Sequence, residues 1–96
     1  HSLGILELRE AICDHYHGKY GVEFAPDQIV ITSGTSPALF MIFSALLETD
    51  DEIIISNPHY PCYPNFAEFL GARPAFVNVH EEDGFQYRPE EMKKKF

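Results

Sequence analysis

Two short runs of branched apolar residues, Ile29-Val30-Ile31 and Ile53-Ile54-Ile55, constrain this chain more than anything else in it. Neither run alternates apolar with polar. A strand with one wet face would alternate, so an uninterrupted run predicts a strand covered on both faces, as in a parallel sheet layered by helices. Parallel strands cannot be joined by a tight hairpin and need a crossover, usually a helix. Each run is indeed followed by a turn and then by an apolar stretch of helical length.

The rest of the chain fits that frame. Residues 5–20 predict an amphipathic helix with Ile5, Leu8, Ile12 and Tyr16 on one face, and Gly21 as its stop. Residues 28–32 predict the first strand. Ser36 is placed to cap a second helix with Pro37 at its first position, running to about Glu48 and apolar all round, hence mostly buried. Residues 52–56 predict the second strand. Pro61 or Pro64 starts a third helix with Tyr63, Phe66, Ala67 and Leu70 inward and Gly71 just past its end. Residues 75–79 predict the third strand, and Pro89 opens a last helix. The order is α-β-α-β-α-β-α, an α/β class with mostly parallel strands between helical layers.

Charge narrows the partners. Seven Lys and Arg against fifteen Asp and Glu give a formal net charge of −8. A nucleic-acid or anionic-membrane partner would need a basic face, so neither is expected. Lys93, Lys94 and Lys95, the only basic run, read as a solvated helix end. Cys13 and Cys62 lie far apart, outside any CxxC spacing, and are expected as free, partly buried thiols of a reducing compartment, which points to the cytoplasm. His59 and Cys62 give an H-x-x-C spacing, but two ligands do not make a zinc site and no second pair follows. No signal-peptide pattern is visible, and the opening "HSLG" without an initiator Met is expected to be the middle of a longer chain.

The chemistry concentrates in two turns. In an open parallel sheet, ligands gather at the carboxyl ends of the strands. After the first strand come Ser33-Gly34-Thr35-Ser36 and then, at once, a helix. A helix N-terminus offers unpaired N–H groups and a partial positive charge, Gly34 lets an anion approach the backbone, and Thr35 and Ser36 add hydroxyl donors. Each part suits a phosphate. The same residues also serve a plain cap and turn, and this stretch alone leaves both readings open. After the second strand come Asn57-Pro58-His59-Tyr60-Pro61-Cys62-Tyr63-Pro64. A flat aromatic such as Tyr60 beside a phosphate seat suggests a ligand with an aromatic ring and a phosphate tail, while Tyr60 and Tyr63 also read as core or rim residues, the reading preferred for Tyr63.

The pieces "GILELREAI", "YGVEFAPDQIVITSGTSPAL", "DDEIIISNPHYPCY" and "GARPAFVNV" together cover almost the whole chain, and in that order and spacing they resemble the class I/II aminotransferases, pyridoxal-phosphate enzymes of fold type I. The resemblance implies that Gly34, Thr35 and Ser36 hold the phosphate of pyridoxal 5'-phosphate and that Tyr60 stacks on its pyridine ring. Tyr63 matches a frequent aromatic of the family, and Arg9 matches an arginine with a structural role. It implies amino acid and 2-oxo acid substrates, a homo-oligomer, and a chain that is a partial large, cofactor-binding domain (residues 1–96). The lysine that links covalently to the cofactor has no match here: Lys19 and Lys93–Lys95 lie in no corresponding motif, so no catalytic residue is expected within these 96 residues and the chain alone is expected to be inactive. The resemblance also implies that strands 52–56 and 75–79 pair with each other, while strand 28–32 pairs with one supplied later. Strand edges left open in this way favour association. One departure stands out. The family usually has Pro-Gly before the Asp-Glu that opens the second strand, and this chain has Thr49-Asp50, a change that bears on local stability. The alternative function is a non-catalytic phosphate-binding or interaction α/β module.

Overall fold

A computed structural model describes residues 2–96. Its elements are α1 (Leu6–Tyr20), α2 (Thr35–Leu46), β1 (Glu52–Asn57), α3 (Cys62–Phe69), β2 (Arg73–Asn78) and α4 (Pro89–Lys93), with single 3-10 turns at Pro26–Gln28 and Glu81–Asp83. The chain forms two compact units, one ending at Ala38 and the other spanning Leu39–Phe96.

In the first unit α1 ends as expected. Gly21 takes the left-handed conformation (φ 66°) and its N–H bonds back to His17 O, so the stop is made by the residue that reaches this conformation without strain. The expected inner face is corrected: Ile5, Leu8 and Tyr16 are exposed and Ile12 is half-buried. The buried residue of α1 is instead Arg9, whose guanidinium Nη1 donates to Pro26 O across 17 residues of sequence. This charge-assisted hydrogen bond ties the helix to the turn at Pro26–Gln28.

Residues 28–32 differ most from expectation. Gln28 closes the 3-10 turn, Ile29 is extended (φ −113°, ψ 128°), and Ile31 N–H donates to Leu3 O. The branched side chains set an extended backbone, but a ladder also needs a neighbour. Among the described residues the sheet has two strands only, β1 and β2.

The second unit carries that sheet. β1 and β2 are parallel in the register Glu52↔Arg73 through Asn57↔Asn78, joined by the crossover α3. The register bears out the expected pairing, with β2 beginning two residues earlier than predicted and reaching back through Pro74. Ile55, Ala67, Ala72, Val77 and Val79 form the core. Ala67, at 0% exposure, is where α3 meets the sheet: a larger side chain would hold the helix away.

α2 departs from its prediction in two ways. It starts at Thr35, because Gly34 turns the chain at φ 104°, so Ser36 lies in the first turn and does not cap. Pro37 remains harmless there, since the first four N–H groups of a helix have no partner within it. Nor is the helix mostly buried. Phe66 and Phe69 of α3 meet Phe40, and Phe66 meets Phe43, so one side is covered. Met41 and Ile42 are half exposed and Leu46 is 73% exposed. An all-round apolar helix needs a covering layer on every side, and α3 provides one.

Thr49-Asp50 has a structural consequence. Asp50 adopts φ 71°, the left-handed region that Gly enters freely. Its N–H donates to Gly71 O (2.9 Å) and its carbonyl accepts from Arg73 Nη2 (3.1 Å). The neighbouring Asp51 accepts from Glu48 N–H at 2.7 Å.

Candidate functional site

The first turn is built for close approach. Thr32 Oγ1 donates to Gly34 O (2.6 Å), which closes the turn beneath α2. A Cβ built on Gly34 would meet nothing within 4 Å, so the space over this residue is open. Residues 33–37 are all exposed, and Thr35 and Ser36 stand in the first turn of a helix of 12 residues. That helix is long enough for its dipole to favour an anion at this end. Gly34, Thr35 and Ser36 therefore stand consecutively at the exposed start of this helix.

Tyr60 belongs to the second unit, at the carboxyl end of β1. Its turn is tied down at both ends. Asn57 O accepts from Val79 N–H (3.0 Å), Asn57 Nδ2 donates to Asn78 Oδ1 (3.0 Å), and Tyr63 N–H donates to Tyr60 O (3.1 Å). The Asn57–Pro58 peptide is cis. Tyr60 is 48% exposed, and its ring meets Tyr63 edge-on with centroids 5.5 Å apart. Both rings line a cleft of about 420 Å³, with Ser56, Pro58, His59, Val79 and Phe85 as the other walls. This is the end of the parallel strands where α/β sheets bind ligands.

Two wall residues, Ser56 and Phe85, escape sequence reasoning. Ser56 was read only as a strand end. Phe85 reaches the cleft from the loop after β2 at φ 58°, strained for a bulky side chain, and the preceding Asp83-Gly84 was the only signal of a sharp turn. His59 stacks on Phe76 of β2 (5.2 Å, 30° between planes).

Among the described residues, no three His, Cys, Asp or Glu side chains come together in a way that could hold a metal ion, and no helix is long and apolar enough to cross a membrane. Cys13 and Cys62 are half-buried free thiols.

Comparison with known proteins adds the family. The family profile for aminotransferase class I and II matches residues 1–96. The chain belongs to that family. It is 52% identical over 81 residues to the (5-formylfuran-3-yl)methyl phosphate transaminase of Methanocaldococcus jannaschii, an overlap of 84% of this chain and 22% of that protein. It is 33% identical over 92 residues to the aspartate aminotransferase of Bacillus subtilis, an overlap of 96% of this chain and 23% of that protein. Among solved structures, the alanine aminotransferase of Pyrococcus furiosus superposes with a TM-score of 0.89 at 37% identity, over 99% of this chain and 24% of that one. The aspartate aminotransferase of Thermotoga maritima gives 0.90 at 34% identity, over 99% and 25%. The class I and II aminotransferase is thus a family of enzymes, its fold here is a piece of the fold type I architecture, and the chain spans about a quarter of the length of the relatives it matches.

Proposed function

We propose that this chain is part of the large domain of a pyridoxal-phosphate-dependent aminotransferase, which moves an amino group from an amino acid to a 2-oxo acid. In this reading Gly34, Thr35 and Ser36 hold the cofactor phosphate, and Tyr60 lies on the face of the pyridine ring. The observation that carries it is the open, exposed turn at Gly34 leading into α2, in a chain whose whole length matches the family.

The residues fit the group they would hold. Gly34 leaves the room that a Cβ would take, and the first-turn N–H groups and two hydroxyls supply donors for phosphate oxygens. Tyr60, half exposed in a cleft at the strand ends, offers a ring face at a stacking worth of about 0.5–1.5 kcal/mol beyond its area. When bound, pyridoxal phosphate supplies the electron sink that stabilises carbanion chemistry at the amino acid. This chain's own residues bind and orient: they fix the phosphate end and the ring face, and leave proton transfer to residues elsewhere. A homo-oligomer and a cytoplasmic setting accompany this reading, since the family commonly shares active sites between subunits and the chain keeps two free thiols.

The test is pyridoxal-phosphate binding by the full polypeptide that contains this chain, followed by visible absorbance. Gly34→Val fills the space above the turn and is expected to weaken binding at least tenfold. Unchanged affinity in the Val variant overturns the phosphate assignment.

A further inference from the structure

His59 has no role assigned by the family match, and its surroundings are specific. Its imidazole lies nearly parallel to the Phe76 ring, with centroids 5.2 Å apart. Its Nδ1 is buried and has no hydrogen-bond partner. It immediately precedes Tyr60, and both line the same cleft. The start of this turn is fixed through Asn57 to Val79 and Asn78, and its end through Tyr63 N–H to Tyr60 O. Between those two ties, the His59–Phe76 stack pins the middle of the turn to β2.

We infer that His59 is a positioning residue: by stacking on Phe76 it holds the turn so that the Tyr60 ring presents its face to the cleft. The inference rests on the assignment of Tyr60 to the cofactor ring. The orphaned Nδ1 identifies which property of His59 matters. A buried nitrogen without a partner is unfavourable, so in this position the imidazole acts as a flat ring. A phenyl ring does the same without the orphan. His59→Phe therefore keeps the function, whereas His59→Ala loses it, and that contrast separates a stacking role from a hydrogen-bonding one.

The experiment uses the full polypeptide and two readouts: the pyridoxal-phosphate dissociation constant, and the 19F resonance of 3-fluorotyrosine placed at position 60 in the cofactor-free protein. His59→Ala is expected to weaken cofactor binding about three- to tenfold, the size of one lost ring contact, and to shift or broaden the fluorine line. His59→Phe is expected to stay within about twofold of the parent and to keep the line, and Phe76→Ala is expected to reproduce His59→Ala. The inference is overturned if His59→Phe falls as far as His59→Ala, or if His59→Ala leaves affinity and resonance unchanged. Tyr60→Ala is the arm for the underlying assignment: if it leaves affinity unchanged, the Tyr60 reading fails with the inference. If it weakens binding while His59→Ala does not, the inference fails alone.

Discussion

Asp50 gives the sharpest stability prediction, because its turn is hydrogen-bonded on both sides. Its φ of 71° is held from both sides, by its own N–H on Gly71 O and by Arg73 on its carbonyl. The facing residue is held as well: Gly71 is at φ 79°, and a Cβ there would meet Thr49 side-chain atoms at 3.2 Å. An L-residue in the left-handed region costs about 1–2 kcal/mol, and Asp lies near the lower end because its short polar side chain tolerates the conformation. Asp50→Ala keeps the conformation and loses that tolerance, so it is expected to destabilise by about 1 kcal/mol. Asp50→Gly removes the steric cost but adds about 0.5–1 kcal/mol of freedom to the unfolded chain, leaving stability within about 0.5 kcal/mol of the parent. Asp50→Asn is expected to match the parent and controls for the lost charge. The Ala–Gly gap of about 1 kcal/mol is the quantity to measure. Urea denaturation followed by far-UV circular dichroism reads it directly. Equal stability of Asp50→Ala and Asp50→Gly would refute the reasoning, since it would mean that the left-handed backbone carries no cost here.

Other substitutions test the packing and the charges. Arg9→Met is expected to destabilise the first unit by about 1–3 kcal/mol, because Pro26 O loses a charged donor; hydrogen exchange in α1 should rise, and unaltered protection would contradict the role given to that bond. Val77→Ala, at 1% exposure on β2, should cost about 2 kcal/mol in denaturant unfolding, and a loss under about 0.5 kcal/mol would show that the core collapses around it. The Glu91 carboxyl is held below its ordinary value of 4.5, chiefly because Lys94 Nζ donates to it at 2.6 Å. A depressed carboxyl contributes its stabilisation above the ordinary Glu range and loses it as pH falls through the lowered value. NMR titration of Glu91 should show that lowering and its partial reversal by Lys94→Ala or by high salt, and a midpoint at or above 4.5 would contradict it.

The α/β class was legible because Ile53-Ile54-Ile55 could be little other than a covered strand, and its partner at residues 73–78 followed from the crossover. The same pattern at Ile29-Val30-Ile31 predicted the extended backbone found at Ile29, but no strand forms there among the described residues, and the partner strand expected from later in sequence is not among them. Side-chain branching is local information, whereas a ladder depends on which chain lies alongside. The helix at residues 35–46 shows the same limit: all-round apolarity was plain, but burial is set by the layers available to cover it. Its early start was hidden because Ser36-Pro37 reads as a standard cap, and only the φ of Gly34 shows that the turn happens sooner. Arg9 escaped the inner-face count because a charged side chain is scored as surface, yet it is buried and donates to Pro26 O. In the cleft, Tyr60 was legible from its place after a strand. Phe85 was not, since it arrives from a loop far along the chain.

The measurement that bears most directly on the phosphate seat is a ratio of affinities. Pyridoxal phosphate and pyridoxal differ only in the phosphate, so a residue that grips the phosphate discriminates between them. For the full polypeptide, Ser36→Ala is predicted to weaken pyridoxal phosphate about tenfold or more, the worth of one hydrogen bond to a charged group, while leaving pyridoxal within about twofold. An equal loss for both ligands, or no loss for either, would contradict the assignment of residues 34–36 to the phosphate.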